Sequence, residues 1–113
     1  MIEQGDIWWA DLGEPKGSAP GYWRPLLIVQ SQAFNKMNIN TVVGVAISGQ
    51  IKFANAPGNV ILSPDMTGLD RESVANISQI ITVDKRSLGE RIGRVTRRKL
   101  ERILDGIELL IGR

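Results

Sequence analysis

Leu100, Ile103, Leu104, Ile107, Leu110 and Ile111 recur at spacings of three and four near the end of this 113-residue chain. That period puts all six on one stripe of an α-helix and leaves Arg97, Arg98, Glu101, Arg102, Asp105 and Glu108 on the other face. Thr96 is placed to N-cap the helix, and Gly112 to end it. Upstream, the apolar residues come instead in short β-branched runs broken by Gly, Pro, Asn and Asp. A stripe of large aliphatics must be buried against something, and short strands are the partner this chain offers. Five or six short strands followed by one helix predict an α+β fold, mainly β. The expected architecture is a small, strongly curved antiparallel sheet or partial barrel packed by the C-terminal helix. The length suits one core and not two, so a single domain is expected over residues 1–113.

The strands are expected at residues 7–12, 26–30, 41–48, 60–63, 77–83 and 91–95. In the first, Trp8, Ala10 and Leu12 share one face while Ile7, Trp9 and Asp11 share the other. Two adjacent tryptophans therefore point in opposite directions; one fills the core and the other needs a second apolar surface, such as a partner subunit. In 41–48, Thr41, Val43, Val45 and Ile47 form a β-branched face suited to a core. The opposite face, Val42, Gly44, Ala46 and Ser48, becomes small. Small side chains admit a ligand or another backbone, or make room for a bulky neighbour. In 77–83, Gln79 shares a face with Ile77, Ile81 and Val83, and its amide must find partners there, structural or ligand. Residues 31–40 read as a helical turn and loop, 64–72 as a turn region.

Residues 17–30 change character in the middle. Gly17, Ser18, Pro20 and Gly21 make a turn-rich loop, whereas Leu26 to Val29 is a continuous apolar run typical of a strand buried on both faces. Arg24 stands between them, and Pro25 biases it towards an extended backbone. A guanidinium is thus held at the mouth of a rigid element beside a loop, an arrangement suited to phosphate. An incidental surface ion pair is the plainer alternative. In the 49–59 loop, Lys52 and Phe53 stand side by side, a cation and a ring of the kind that meets phosphate and base in single-stranded RNA.

The inventory narrows the chemistry. There is no histidine and no cysteine, which excludes a histidine acid–base pair, Ser-His-Asp and Cys-His catalysis, disulfides and thiolate metal sites. The carboxylates are scattered, and only Asp70 and Glu72 lie within two residues of each other. No metal site is expected, nor any cofactor. Residues 1–84 carry five basic and eight acidic side chains, residues 85–113 nine basic and four acidic. A basic C-terminal third draws in nucleic acid, or is simply a solvated helix face. Neither an apolar leader nor a membrane-length apolar run is present, so a cytoplasmic location is expected.

Read in order, Gly5-Asp6-Ile7, the Gly-rich loop leading to Arg24-Pro25-Leu26-Leu27-Ile28-Val29, Val45-Ala46-Ile47-Ser48, Gly68-Leu69, Ser73-Val74, Gln79-Ile80, Thr82-Val83-Asp84-Lys85 and Leu88 resemble the MazF/PemK toxins of bacterial toxin–antitoxin pairs. The likeness covers nearly the whole chain. It implies an SH3-like partial barrel and a metal-independent endoribonuclease that cuts single-stranded mRNA at a short sequence, leaving 2′,3′-cyclic phosphate and 5′-OH ends. It also implies a homodimer whose RNA groove spans the interface, and a MazE/PemI-like antitoxin whose acidic segment covers that groove. Arg24 matches the family's catalytic Arg. Ser48 stands where the family usually has a catalytic Thr; the hydroxyl survives, the methyl that restrains it does not. Ala19 stands where members often carry Glu. Ser18, Ser73 and Gln79 match positions lining the RNA groove, and Tyr22, Trp23, Lys52 and Phe53 are added as base-stacking or phosphate-binding groups. The alternative is a non-catalytic protein of the same fold, a gyrase poison of the CcdB type or an inactive homologue that holds only RNA or antitoxin.

Overall fold

The computed structural model describes residues 1–113. The strands are β1 (Asp6–Asp11), β2 (Trp23–Ile28), β3 (Thr41–Ser48), β4 (Val60–Leu62), β5 (Ser73–Asp84) and β6 (Leu88–Arg94). Between them lie two four-residue helices, α1 (Gln32–Asn35) and α2 (Pro64–Thr67), and the chain ends in α3 (Arg97–Ile111). All strand pairings are antiparallel, in the order β4-β5-β3-β2-β1-β6. Register shifts in the β1–β6 and β3–β5 pairs add twist, and the sheet curls into a half-barrel.

The sheet is buried on both faces. Ile7, Leu27, Val45, Ile47, Val60, Leu62 and Ile77 form the larger core, into which α3 sends Ile103 with no remaining exposure. Ala10, Leu26, Ile28 and Val42 form a second cluster, covered by Trp8, Leu12, Ile81, Val83 and Leu88 as the sheet curls over. Burial of Ile103 alone is worth about 1.5–3 kcal/mol. The small face of β3 has a divided use. A Cβ on Gly44 would fall 2.6 Å from Leu26 Cγ, so Gly44 makes room for a bulky neighbour in the next strand. Ala46 and Ser48, further along, line a groove.

α3 begins and ends as its caps dictate. Thr96 Oγ1 accepts from the Lys99 N–H at 3.2 Å. Gly112 adopts the left-handed conformation (φ 81°), and the Arg113 N–H returns to the Glu108 carbonyl at 2.8 Å. The expected apolar stripe is only partly covered: Leu110 and Ile111 remain exposed, as do Leu109 and Ile61. The strand nearest this end, β4, has only three residues and cannot cover a fifteen-residue helix.

Strand ends shift, most in β2 and β6, which start at Trp23 and Leu88 rather than at residues 26 and 91, and three further expectations change. β5 is longer than residues 77–83, because the turn region ends at Glu72 and pairing with β4 starts at Ser73. Within it, a wide bulge sets Ala46 of β3 opposite four residues, Asn76 to Gln79. Strict alternation is lost there: Ile77 enters the larger core, while Gln79 keeps the face of Ile81 and Val83, which pack on the smaller cluster, at the point where that face opens into a groove. Trp8 and Trp9 are both half-buried, Trp8 against the smaller cluster and Trp9 at a cavity wall; the exposed tryptophan is Trp23.

A buried carboxylate ties the N-terminus to β6. Asp6, 1% exposed, accepts from Arg94 Nη1 at 2.7 Å, from the Glu3 N–H at 3.0 Å and from Trp8 Nε1 at 3.3 Å. Arg91 adds a longer ion pair at 3.5 Å.

Candidate RNA-cleavage groove

Arg24 is the third residue after Gly21, where the turn-rich loop ends, and pairs with Ala10 in the β1–β2 ladder. Pro25 follows it at no cost to the sheet, because pairing with β3 begins only at Leu26. The guanidinium makes no ion pair and no hydrogen bond within the chain. It borders two separate cavities, one on either side.

The first is a groove of about 470 Å³. Its walls are the loop residues Ser18, Ala19 and Pro20, the end of β3 with Ser48, and the bulge of β5 with Asn76, Ser78 and Gln79; Phe53 and Gln50 close one end. Ser48 is 8% exposed, and its Oγ accepts from the Gln50 N–H at 3.1 Å. That contact uses a lone pair and leaves the hydroxyl proton free to donate into the groove. The far wall is held by Asn59, whose Nδ2 donates to the Phe53 carbonyl at 2.8 Å and to Asn76 Oδ1 at 3.2 Å. Its Oδ1 accepts from the Ile77 N–H at 2.8 Å.

The second cavity, of about 400 Å³, lies beyond Arg24. Trp9, Trp23, Pro25, Ile47 and Leu69 give it apolar walls, and Tyr22, Asp70, Arg71, Glu72 and Ser73 border it. Tyr22 stands in the left-handed region (φ 57°), with its N–H on the Gly13 carbonyl, closing the β1–β2 loop. The 69–72 segment is launched by α2. Gly68 turns left-handed, the Leu69 N–H bonds Thr67 Oγ1 at 3.0 Å, and a Cβ on Gly93 of β6 would collide with the Met66 carbonyl.

Of the residues singled out in the sequence, Arg24, Ser48, Ser18, Phe53 and Gln79 therefore meet in the groove, while Tyr22, Trp23 and Ser73 lie with Arg24 in the second cavity. Lys52 lines neither; its Nζ sits 5.5 Å from the centre of the Phe53 ring. Sequence reasoning missed Gln50, Asn76 and Ser78, which the 3-10 turn at Ile51–Asn55 and the bulge bring in. It also missed Asp70, Arg71 and Glu72, whose only sign was a cluster of charges after Gly68-Leu69. No group of three His, Cys, Asp or Glu side chains is disposed to hold a metal ion.

Fold and groove together define a small half-barrel protein with a charged fork and a hydroxyl facing one polar cleft. The chain matches the family model described as PemK-like, MazF-like toxin of type II toxin–antitoxin system over residues 3–111, and it belongs to that family. It is 39% identical over 112 residues to Endoribonuclease MazF6 of Mycobacterium tuberculosis, covering 93% of this chain and 98% of the relative. It is 34% identical over 112 residues to Endoribonuclease MazF of Staphylococcus saprophyticus, covering 99% and 92%. Among solved structures, it resembles a mycobacterial endoribonuclease in complex with its cognate antitoxin, with a TM-score of 0.77, 25% identity and coverage of 99% and 96%. MazF from Deinococcus radiodurans shares the fold at a TM-score of 0.81 and 19% identity, with coverage of 99% and 97%.

Proposed function

We infer that this chain is the endoribonuclease toxin of a toxin–antitoxin pair and that it cuts single-stranded RNA with Arg24 and Ser48, without a metal ion. The observation that carries this reading is an unpaired arginine and a free hydroxyl proton in one groove. The relatives named endoribonuclease supply the reaction class.

The ribose 2′-oxygen attacks the adjacent phosphorus, the bond to the 5′-oxygen breaks, and a 2′,3′-cyclic phosphate and a 5′-OH end result. The 2′-OH proton is lost and the departing 5′-oxygen gains one, both exchanged with solvent. Negative charge gathers on the non-bridging oxygens, and there the Arg24 fork and the Ser48 O–H act, held in place beforehand. Gln50, through its backbone N–H, fixes the Ser48 oxygen and so stands in for the methyl that threonine would supply. Ser18, Gln79 and Phe53 hold the strand on either side, Phe53 as a stacking platform.

The partner is an antitoxin, as it is for the mycobacterial neighbour; an acidic extended segment suits a groove built around an unpaired arginine. The exposed Leu109, Leu110 and Ile111 in the last turn of α3 offer apolar surface for a homodimer. No helix is long and apolar enough to cross a membrane, and a toxin acting on mRNA works in the cytoplasm.

The test is purified protein with a long, mostly single-stranded RNA in EDTA, with the new ends mapped. Discrete cuts leaving 5′-OH ends are expected. Intact RNA from folded protein would overturn the reading in favour of a binding role.

A further inference from the structure

We propose that the cavity beyond Arg24 is a base-reading subsite, in which Arg71 and Glu72 determine the identity of one nucleotide of the RNA. The inference rests on the ribonuclease reading and names a specificity determinant for it. Its starting point is a set of polar groups with nothing to bind. The Ser73 hydroxyl is buried and has no hydrogen-bond partner, and it is alone among buried side-chain polar atoms in this. Burial without a partner is costly, and such atoms mark a place that a ligand or water completes. Asp70, Arg71 and Glu72 are consecutive and exposed at the rim, yet none makes an ion pair or a side-chain hydrogen bond. Charges that ignore one another at such short range are turned to separate directions, which leaves donors and acceptors open together.

The remaining walls suit a flat ring. Trp9, Trp23, Ile47 and Leu69 present apolar surface, and a cavity of about 400 Å³ holds one base with room for its sugar. Trp23 is fixed as a platform, because its ring lies over Gly89, where a Cβ would fall 3.0 Å from Trp23 Cζ3. Stacking alone would accept any base. An arginine fork beside carboxylates does not, because base edges differ in the order of their donors and acceptors. Arg71 also approaches the catalytic strand: its Nη2 lies 3.7 Å from the Cβ position of Gly49, the residue after Ser48. The base held here is thus next to the phosphate on Arg24.

Two measurements test this with the full chain. First, cut sites are mapped on a randomised RNA for wild type, Arg71→Ala, Arg71→Lys and Glu72→Gln. At one position of the motif the base preference should fall by at least about fivefold in each variant, while the other positions keep theirs. Arg71→Lys belongs in the set because lysine keeps the charge and loses the fork; a purely electrostatic Arg71 would leave its motif unchanged. Second, tryptophan fluorescence is followed during titration with four uncleavable 2′-deoxy homopentamers. Wild type should discriminate among them by at least about fivefold, and Arg71→Ala should bring the four affinities together. An unchanged motif in Arg71→Ala, or four equal wild-type affinities, overturns the subsite. Wild type that cuts nothing but still discriminates would overturn the ribonuclease reading and leave the subsite standing.

Discussion

The Gln50 N–H donates to Ser48 Oγ at 3.1 Å, so the hydroxyl at the end of β3 is aimed by the backbone of the following turn. Replacing Ser48 by Ala should leave the fold intact and slow single-turnover cleavage about 100-fold, as expected for loss of one donor to a developing oxyanion. Ser48→Thr keeps the hydroxyl and should cleave at least as fast as wild type. A Ser48→Ala protein that cuts at the wild-type rate would remove Ser48 from the chemistry.

Arg24 is half-buried and carries no structural partner, so its loss leaves no buried charge stranded. Arg24→Ala should unfold at the wild-type urea midpoint while its cleavage rate falls by about 100- to 1,000-fold. Arg24→Lys should recover only part of the activity, because an ammonium cannot present a planar fork to two phosphoryl oxygens.

Asp6 gives the opposite pattern. Its Oδ atoms serve Arg94, Trp8 and the Glu3 N–H, none of which lines the groove. Asp6→Ala strands those donors and should lower stability by about 2–3 kcal/mol, towards the low end because the Arg94 side chain is 46% exposed and can rehydrate. Urea denaturation measures this, and cleavage per folded molecule should be unchanged.

Gly106 sets two effects against each other. Alanine favours a helix interior over glycine by about 1 kcal/mol. A Cβ at Gly106, however, would fall 2.5 Å from the Gly58 carbonyl oxygen, backbone that cannot swing aside. Overpacking of this kind costs about 1–3 kcal/mol. Gly106→Ala should therefore destabilise, and a raised thermal midpoint would show that the Gly58 loop yields more easily than its contacts imply.

Much of the fold could be read from local pattern. β3 runs from Thr41 to Ser48 as its β-branched alternation requires, and Thr96 and Gly112 cap α3 where their side chain and backbone allow. What local pattern could not carry was pairing. Alternation assigns Gln79 to one face with Ile77, Ile81 and Val83, and only the β3–β5 register, with four residues opposite Ala46, separates Ile77 from the others and opens that face into the groove at Gln79. The same holds for the pair of tryptophans: period two separates Trp8 from Trp9, but it does not say that one meets the smaller cluster and the other a cavity wall. Arg24 and Ser48 stood out through their place in an ordered set of motifs, and the structure brings both to one groove. Asp70, Arg71 and Glu72 did not, because a charged turn has no period and its meaning depends on where α2 delivers it.

The triple role of Asn59 bears on how such a protein changes its target. One amide holds the Phe53 carbonyl, Asn76 and the Ile77 N–H, so the 49–59 loop and the bulge of β5 stand or fall together. A substitution that reshapes either one is transmitted to the other and to the floor beside Ser48. Asp70, Arg71 and Glu72 carry no comparable side-chain tether. Variation there can accumulate one residue at a time, which makes that rim the cheaper ground for divergence while the reaction itself is inherited unchanged.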